Sequence, residues 1–344
     1  MMSERKICIL AIESSCDETS AAVSVNNKIL SNIIAGQKVH ELYGGVVPEL
    51  ASRAHQQNII PVVDAALKNA GVKKEDLDAV AFTKGPGLIG SLMVGVSFAK
   101  SFALSLNIPL VEVNHMQAHV LANFAITEDN AGNNFPQFPF LCLTVSGGHT
   151  QIVLVKSFYD MEIIGETQDD AAGEAFDKIA KTLNIPYPGG PVIDKLAQLG
   201  DESAFRFPHP HVLGFNFSFS GLKTAVLYFI RDNVKKDEAF VEKNKNDLCA
   251  SLQKTIVEIL LSKLKKAAVQ HNINQLAIAG GVSANSLLRK RFAEMCLEKK
   301  WKYFIPDFQF CTDNGGMIAV AAYYKYLKGE FAPLDTSPLA RMEL

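Results

Sequence analysis

The sequence predicts an α/β protein built from two similar lobes, and three observations carry that prediction. An apolar strand, a polar turn and a second strand occur twice, over residues 7–25 and 140–155. After each hairpin the pattern gives the same order: a third strand, a helix, a strand and another helix. Between the copies lies a cluster of turn formers, Gly132, Asn133, Asn134, Pro136 and Pro139, which reads as a boundary within 131–139. Two β-β-β-α-β-α units imply paired lobes with a cleft between them.

Taken in order, the run Ile7 to Ile12 is continuously apolar and ends in the polar turn Glu13, Ser14, Ser15, Cys16, Asp17, Glu18, Thr19, after which Ala21 to Val25 returns as a strand. Residues 48–69 form a helix with Pro48 at its first position, where a missing N–H costs nothing. Residues 76–78 turn the chain into a strand at 79–83, and 91–106 is a strongly apolar helix. The second copy places strands at 140–145 and 151–155, a helix at 247–271, a strand at 275–279 and a helix at 284–298. A last helix over 312–328 follows Thr312, Asp313, Asn314, Gly315, Gly316. The lobes are expected at 1–134 and 135–344, with the last helix packing back toward the first lobe.

Composition narrows the class. Of 344 residues, 48% are hydrophobic and 20% charged, the balance of a soluble globular chain. A net charge of −2 excludes a globally basic nucleic-acid binder while leaving room for a local patch. Arg5 and Lys6 lead into an apolar run too short for a signal segment, and no stretch is expected to span a membrane. The six cysteines, at 8, 16, 142, 249, 296 and 311, form no C-x-x-C pair, so neither a disulfide framework nor a thiolate metal site is suggested. These features predict a cytoplasmic protein.

His115 and His119 carry the first chemistry. At i, i+4 on a helix both imidazoles project from one face and can ligate one divalent metal. Asp313 is the best distant third ligand, and two His with one carboxylate leave coordination positions open. A zinc protease of the H-E-x-x-H type needs a Glu after the first His, and Met116, Gln117, Ala118 supply none. The rival outside enzymology is a non-catalytic scaffold that binds nucleotide and holds partners.

Glycine-rich turns carry the second. Ser146, Gly147, Gly148 sits between two strands, where small residues let backbone N–H groups approach an anion. Gly280, Gly281, Val282, Ser283, Ala284, Asn285 follows a strand and is read as opening a helix toward a ligand. Pro188, Gly189, Gly190, Pro191 precedes the helix bearing Asp194. Together they favour a nucleotide site. Asp177 could instead pair with Lys178 or Lys181, Asn285 could be an ordinary first-turn residue, and His149 orients its turn. The basic run Arg289, Lys290, Arg291 with Lys299, Lys300 and Lys302 could be a solvated face or part of a nucleic-acid footprint.

The segments IESSCDET (12–19), GGVVPELASRAH (44–55), HMQAH (115–119), VSGGHT (145–150), DDAAGEAFD (169–177), YPGG (187–190), FSFSGLK (217–223), GGVSANSLLR (280–289) and CTDNGGMIA (311–319) closely resemble the bacterial TsaD family, in order and across residues 7–325. Members of that family are tRNA N6-adenosine threonylcarbamoyltransferases. The resemblance implies the actin-like ATPase (ASKHA) fold with duplicated RNase H-like lobes. It implies transfer of threonylcarbamoyl from threonylcarbamoyl-AMP to the adenosine 3′ of the anticodon, position 37, in tRNAs reading ANN codons. His115, His119 and Asp313 match the family's metal ligands, with iron favoured and zinc the alternative. Thr144, Val145, Ser146, Gly147, Gly148, Asp177, Gly190 and Asn285 match substrate-binding positions, and Asp194 a further contact. Asp17 and Glu18 match an acidic pair near the metal and are the candidate catalytic residues. A TsaB-like paralogue and a TsaE-like ATPase are the implied partners, the paralogue docking on the apolar helices 48–69 and 91–106. Gly316 departs from the pattern, since many relatives carry Ala there, and is expected to loosen the last helix slightly.

Overall fold

The computed structural model describes residues 6–128 and 134–344, so Arg5 and residues 131–133 of the expected boundary lie outside the described residues. The chain divides into two compact units, Met1–Phe135 with Asp307–Leu344, and Pro136–Pro306.

Unit 1 begins with β1 (Cys8–Glu13), β2 (Thr19–Val25) and β3 (Lys28–Ala35), continues through α1 (Pro48–Ala70), β4 (Ala79–Gly85) and α2 (Ile89–Leu106), and reaches β5 (Leu110–Asn114) and α3 (His115–Leu121). Its sheet has the order β3-β2-β1-β4-β5. β1 is buried along its whole length, as expected of an apolar strand covered on both faces. The meander β1-β2-β3 is antiparallel, while β4 and β5 run parallel to β1. Glu13, the end of β4 and Asn114 therefore come out at one edge of the sheet, the edge at which α/β sheets bind ligands. α1 starts with Pro48 and stops at Gly71, whose φ of +66° lets its N–H and the following turn close the last carbonyls.

Unit 2 repeats the plan. It contains β6 (Phe140–Val145), β7 (Thr150–Val155), β8 (Met161–Glu166), α4 (Ala172–Thr182), α5 (Gly189–Ala197), α6 (Ser220–Val234), α7 (Phe240–His271), β9 (Gln275–Ala279), α8 (Ser286–Lys299) and β10 (Lys302–Phe304). Its order, β10-β9-β6-β7-β8, is that of unit 1 strand for strand. The difference is the insertion of α4, α5 and α6 before α7. Leu141, Leu143, Phe176, Phe217, Phe219, Leu260 and Phe292 form the core beneath this sheet.

The last helix, α9 (Gly315–Lys328), belongs to unit 1 although sequence order puts it after unit 2. It packs on β1, β2 and α3. Its approach to β2 is close enough that a Cβ on Gly315 would stand 2.6 Å from the Ala22 nitrogen. Gly315 N donates to Ser20 Oγ at 2.8 Å and Gly316 N to Asn32 Oδ1 at 3.1 Å, so β2 and β3 fix the helix start.

One expectation needs correction. α2 is long and apolar enough to pass for a membrane span by length and composition. Leu92, Val96, Ala99 and Ala103 are buried, and with that face the helix packs against α1 and β4, while a third of its length is buried in all.

Candidate functional site

The structure brings His115, His119 and Asp313 together within unit 1. Asn114 ends β5 and its Oδ1 caps α3 by accepting from Met116 N and Gln117 N at 2.9 and 3.1 Å, so the first helical residue is His115. Both imidazoles then face one carboxylate oxygen. Asp313 Oδ1 lies 3.4 Å from His115 Nε2 and 3.1 Å from His119 Nε2, and a donor atom from each of the three residues lies within 4.8 Å of the others. Neither histidine is solvent-exposed.

The electrostatics fit a cation at this point. Burial opposes ionisation of Asp313, yet His115 and then His119 hold its carboxyl far below the usual range. Burial opposes the charged form of His115 as well, but Asp313 and Glu13 win and raise its pKa well above the usual value. His119 is pushed down by burial against its bond to Asp313. Without a metal, a protonated His115 between two carboxylates supplies the positive charge that the donor set calls for. The donors themselves, two imidazoles and a carboxylate, suit iron or zinc.

Glu13 is the residue that sequence reasoning quoted but gave no role. Fully buried at the end of β1, it receives Ser15 N and Thr83 Oγ1, each at 2.5 Å, and its Oε2 lies 3.1 Å from His115 Nδ1. Ser15 Oγ lies 3.2 Å from the same nitrogen. A carboxylate on the far nitrogen of a ligand histidine fixes ring orientation and tautomer. His119 Nδ1, by contrast, is buried with no hydrogen-bond partner among the described residues. The signal for Glu13 was available: a carboxylate ending an otherwise apolar strand has to be paired.

Asp17 and Glu18 lie in the turn after β1. Burial, then Asp313 and Asp17, push the Glu18 carboxyl well above its ordinary value, so the acidic turn feels the metal-site carboxylate. His55 of α1 holds this turn. Its Nδ1 lies 2.8 Å from Thr19 Oγ1 and its Nε2 lies 3.0 Å from the Cys16 carbonyl, and sequence reasoning gave it no role.

The nucleotide-binding candidates belong to unit 2. Thr144 and Val145 are buried in β6, so backbone is what they can offer. Beyond them, Ser146 N donates to the His149 carbonyl and His149 N to Ser146 Oγ, closing the turn that exposes Gly147 and Gly148. A Cβ on either glycine would meet nothing within 4 Å. The parallel neighbour β9 leads into Gly280, where φ is +84° and a Cβ would overlap the Val145 carbonyl. The two glycine turns therefore abut at the carboxyl ends of adjacent parallel strands.

The helix starts differ from expectation. Gly281–Ala284 is a 3-10 turn, and α8 begins only after it. Asn285 Oδ1 caps α8 through Leu288 N at 3.0 Å, while Asp194 takes Ser286 N at 3.2 Å, Ser286 Oγ at 2.6 Å and Gln253 Nε2 at 3.0 Å. Asp177 pairs with neither Lys178 nor Lys181. Its Oδ1 accepts Gly189 N at 2.7 Å and Gly190 N at 3.3 Å, and burial raises its pKa despite those bonds. Both helix starts are thus met by the chain's own carboxylates, which leaves the 146–148 turn as the place for an anion. In the basic run, Arg289 binds the Ser283 and Pro306 carbonyls and Arg291 pairs with Glu202, so these two serve unit 2 itself.

Gly316 is required by packing. A Cβ there would lie 2.6 Å from the ring of Phe310, itself buried, and 3.0 Å from the capping oxygen of Asn314. The helix-propensity gain of Gly316→Ala, about 1 kcal/mol, is then outweighed by overpacking of roughly 1–3 kcal/mol. Urea denaturation is expected to show a net loss of stability, and a stabilised variant would contradict this packing.

Comparisons with known proteins identify the family and the fold. A family model described as TsaD, tRNA N6-adenosine threonylcarbamoyltransferase, matches residues 28–320. Proteins of that name from Christiangramia forsetii and Porphyromonas gingivalis are 62% and 60% identical, over 99% and 98% of this chain and 99% of each relative. Full-length HypF in a phosphate- and nucleotide-bound form aligns with a TM-score of 0.62 at 15% identity, covering 96% of this chain and 47% of that one. Component A of the Acidaminococcus fermentans (R)-2-hydroxyglutaryl-CoA dehydratase aligns with a TM-score of 0.54 at 13% identity, covering 93% and 99%. Those two likenesses show the fold, the actin-like one that the family resemblance implied and that the duplicated units agree with. The chain belongs to the TsaD family and is a transferase that places threonylcarbamoyl on N6 of adenosine in tRNA.

Proposed function

We propose that one divalent cation is held by His115 Nε2, His119 Nε2 and an Asp313 oxygen, and that unit 2 binds the adenylate of a threonylcarbamoyl-AMP donor. The convergence of the three ligands, with Glu13 orienting His115, carries the first half. Iron is the favoured metal and zinc the alternative, since a 2-His-1-carboxylate set with open positions suits both. When bound, the metal supplies Lewis-acid and template chemistry. In unit 2 the Gly147–Gly148 backbone takes the phosphate. Asp177 and Asp194 present acceptor oxygens, suited to ribose hydroxyls and not to phosphate, and Gly190 and Asn285 line the same site.

The acceptor is N6 of the adenosine 3′ of the anticodon in tRNAs reading ANN codons. N6 attacks the carbamoyl carbon, the carbon–oxygen bond to the phosphate breaks, N6 gives up a proton and AMP leaves. An aromatic amine is a weak nucleophile, so positioning supplies much of the acceleration. Asp17 and Glu18 are assigned the proton. Because the acceptor is tRNA, the activity belongs in the cytoplasm. Nucleoside mass spectrometry of tRNA incubated with the protein, its partners, threonine, bicarbonate and ATP tests this reading. Unmodified tRNA under those conditions would refute it.

A TsaB-like paralogue is proposed to dock on α1 and α2, with a TsaE-like ATPase completing the assembly. The support is apolar side chains left exposed on both packed helices: Ile60 on α1, and Ile89, Met93 and Leu104 on α2. Ile60→Glu with Met93→Lys is expected to abolish complex formation on size exclusion and multiple turnover together, with metal content retained. An intact complex in that variant would place the partner elsewhere.

A further inference from the structure

We infer that the segment 331–344 is a positioning strap for the metal centre, acting through the amide of Asn114. It tracks the edge strand β5 from end to end. Ala332 N donates to the Leu110 carbonyl at 2.8 Å, Thr336 Oγ1 to Glu112 Oε2 at 2.7 Å, and Asn114 Nδ2 to the Glu343 carbonyl at 2.7 Å. Asn114 is thus gripped from both sides: its oxygen caps the helix that begins with His115, and its nitrogen is held by the strap. Asn114 is buried, so losing Glu343 leaves a donor without its acceptor and frees the cap to turn.

A second route reaches the same histidine. Leu339 N donates to the Lys84 carbonyl at 2.8 Å, and Gly87 N to the Ala340 carbonyl at 3.2 Å. The 85–88 loop so held places Leu88 N on the Ser15 carbonyl at 2.7 Å, and Ser15 Oγ lies 3.2 Å from His115 Nδ1. Glu343 itself is exposed and contributes a backbone oxygen, so the strap's end adds little to the core. Its effect is expected in the precision of the ligand helix.

The inference rests on the metal assignment above, and zinc affinity tests both separately. The dissociation constant for zinc is measured by competition with a chromophoric chelator on the metal-stripped chain, on a chain ending at Arg341, on Asn114→Ser and on their combination. Serine keeps a capping oxygen and cannot reach Glu343. The shortened chain and Asn114→Ser should each bind zinc roughly tenfold more weakly, the lower end of the cost of losing an outer partner. The combination should be no weaker than either single change, because both remove one bond. Thermal unfolding of the stripped proteins should fall only by the few degrees that one lost hydrogen bond costs, and Glu343→Ala, which keeps the carbonyl, should bind as the parent does. Unchanged zinc affinity in the shortened chain, full additivity, or a loss in Glu343→Ala overturns the strap. A parent chain whose zinc binding survives His119→Ala overturns the metal assignment and the strap with it.

Discussion

His115→Ala is expected to empty the metal site and abolish threonylcarbamoyl transfer. It removes one of three protein ligands, so the loss of metal affinity should exceed the roughly 10–100-fold typical of losing an outer partner. The protein should also lose stability. In the metal-free protein His115 lies between the Glu13 and Asp313 carboxylates, at 3.1 and 3.4 Å, which raise its pKa, and breaking such a buried pair by removing one partner costs about 3–5 kcal/mol. His119→Ala should empty the site with a smaller stability penalty, because its burial lowers its pKa and leaves it neutral. Elemental analysis with urea denaturation separates the two effects. A His115→Ala protein with full metal content and parent activity would end the assignment.

Gly148→Val and Gly280→Val are expected to fail in different ways. At Gly148 an added Cβ meets nothing within 4 Å, so the variant should fold normally while the valine stands where a phosphate must approach the backbone. Losing one hydrogen bond to a charged group costs about 1.5–3 kcal/mol, or roughly 10- to 150-fold in affinity for an AMP analogue. At Gly280 the φ of +84° and the Val145 carbonyl leave no room for a side chain. That variant should lower the unfolding midpoint as well as lose the nucleotide. Calorimetric titration alongside thermal melts reads both. Equal nucleotide affinity in Gly148→Val and the parent would move the phosphate away from this turn.

The sequence was most legible where periodicity and turn chemistry agree. The β9 bounds match expectation and Pro48 opens α1 as predicted, because a short apolar run and a helix-starting proline are local signals. The inserted helices α4–α6 were less legible. Only the one bearing Asp194 was anticipated, since the starts of these helices, at Ala172, Gly189 and Ser220, are held by residues distant in sequence, Thr150, Asp177 and Asp169. The helix expected from 284 begins at Ser286, after a 3-10 turn over Gly281–Ala284, for a related reason. The backbone there is shaped by contact with Val145 on a neighbouring strand.

By itself the sequence determined the duplicated architecture, the spacing of His115 and His119 on one helix face, and the family to which the chain belongs. These follow from hydrophobic period, helix geometry and ordered motifs, all of which act over short stretches. Tertiary structure decided what those residues face. Asp313 reaches the histidines across 194 residues because Ser20 and Asn32 anchor the start of α9. Glu13, His55 and Asn114 acquire their roles from hydrogen bonds to strands, turns and the closing segment of the chain, and local propensity carries no record of such partners.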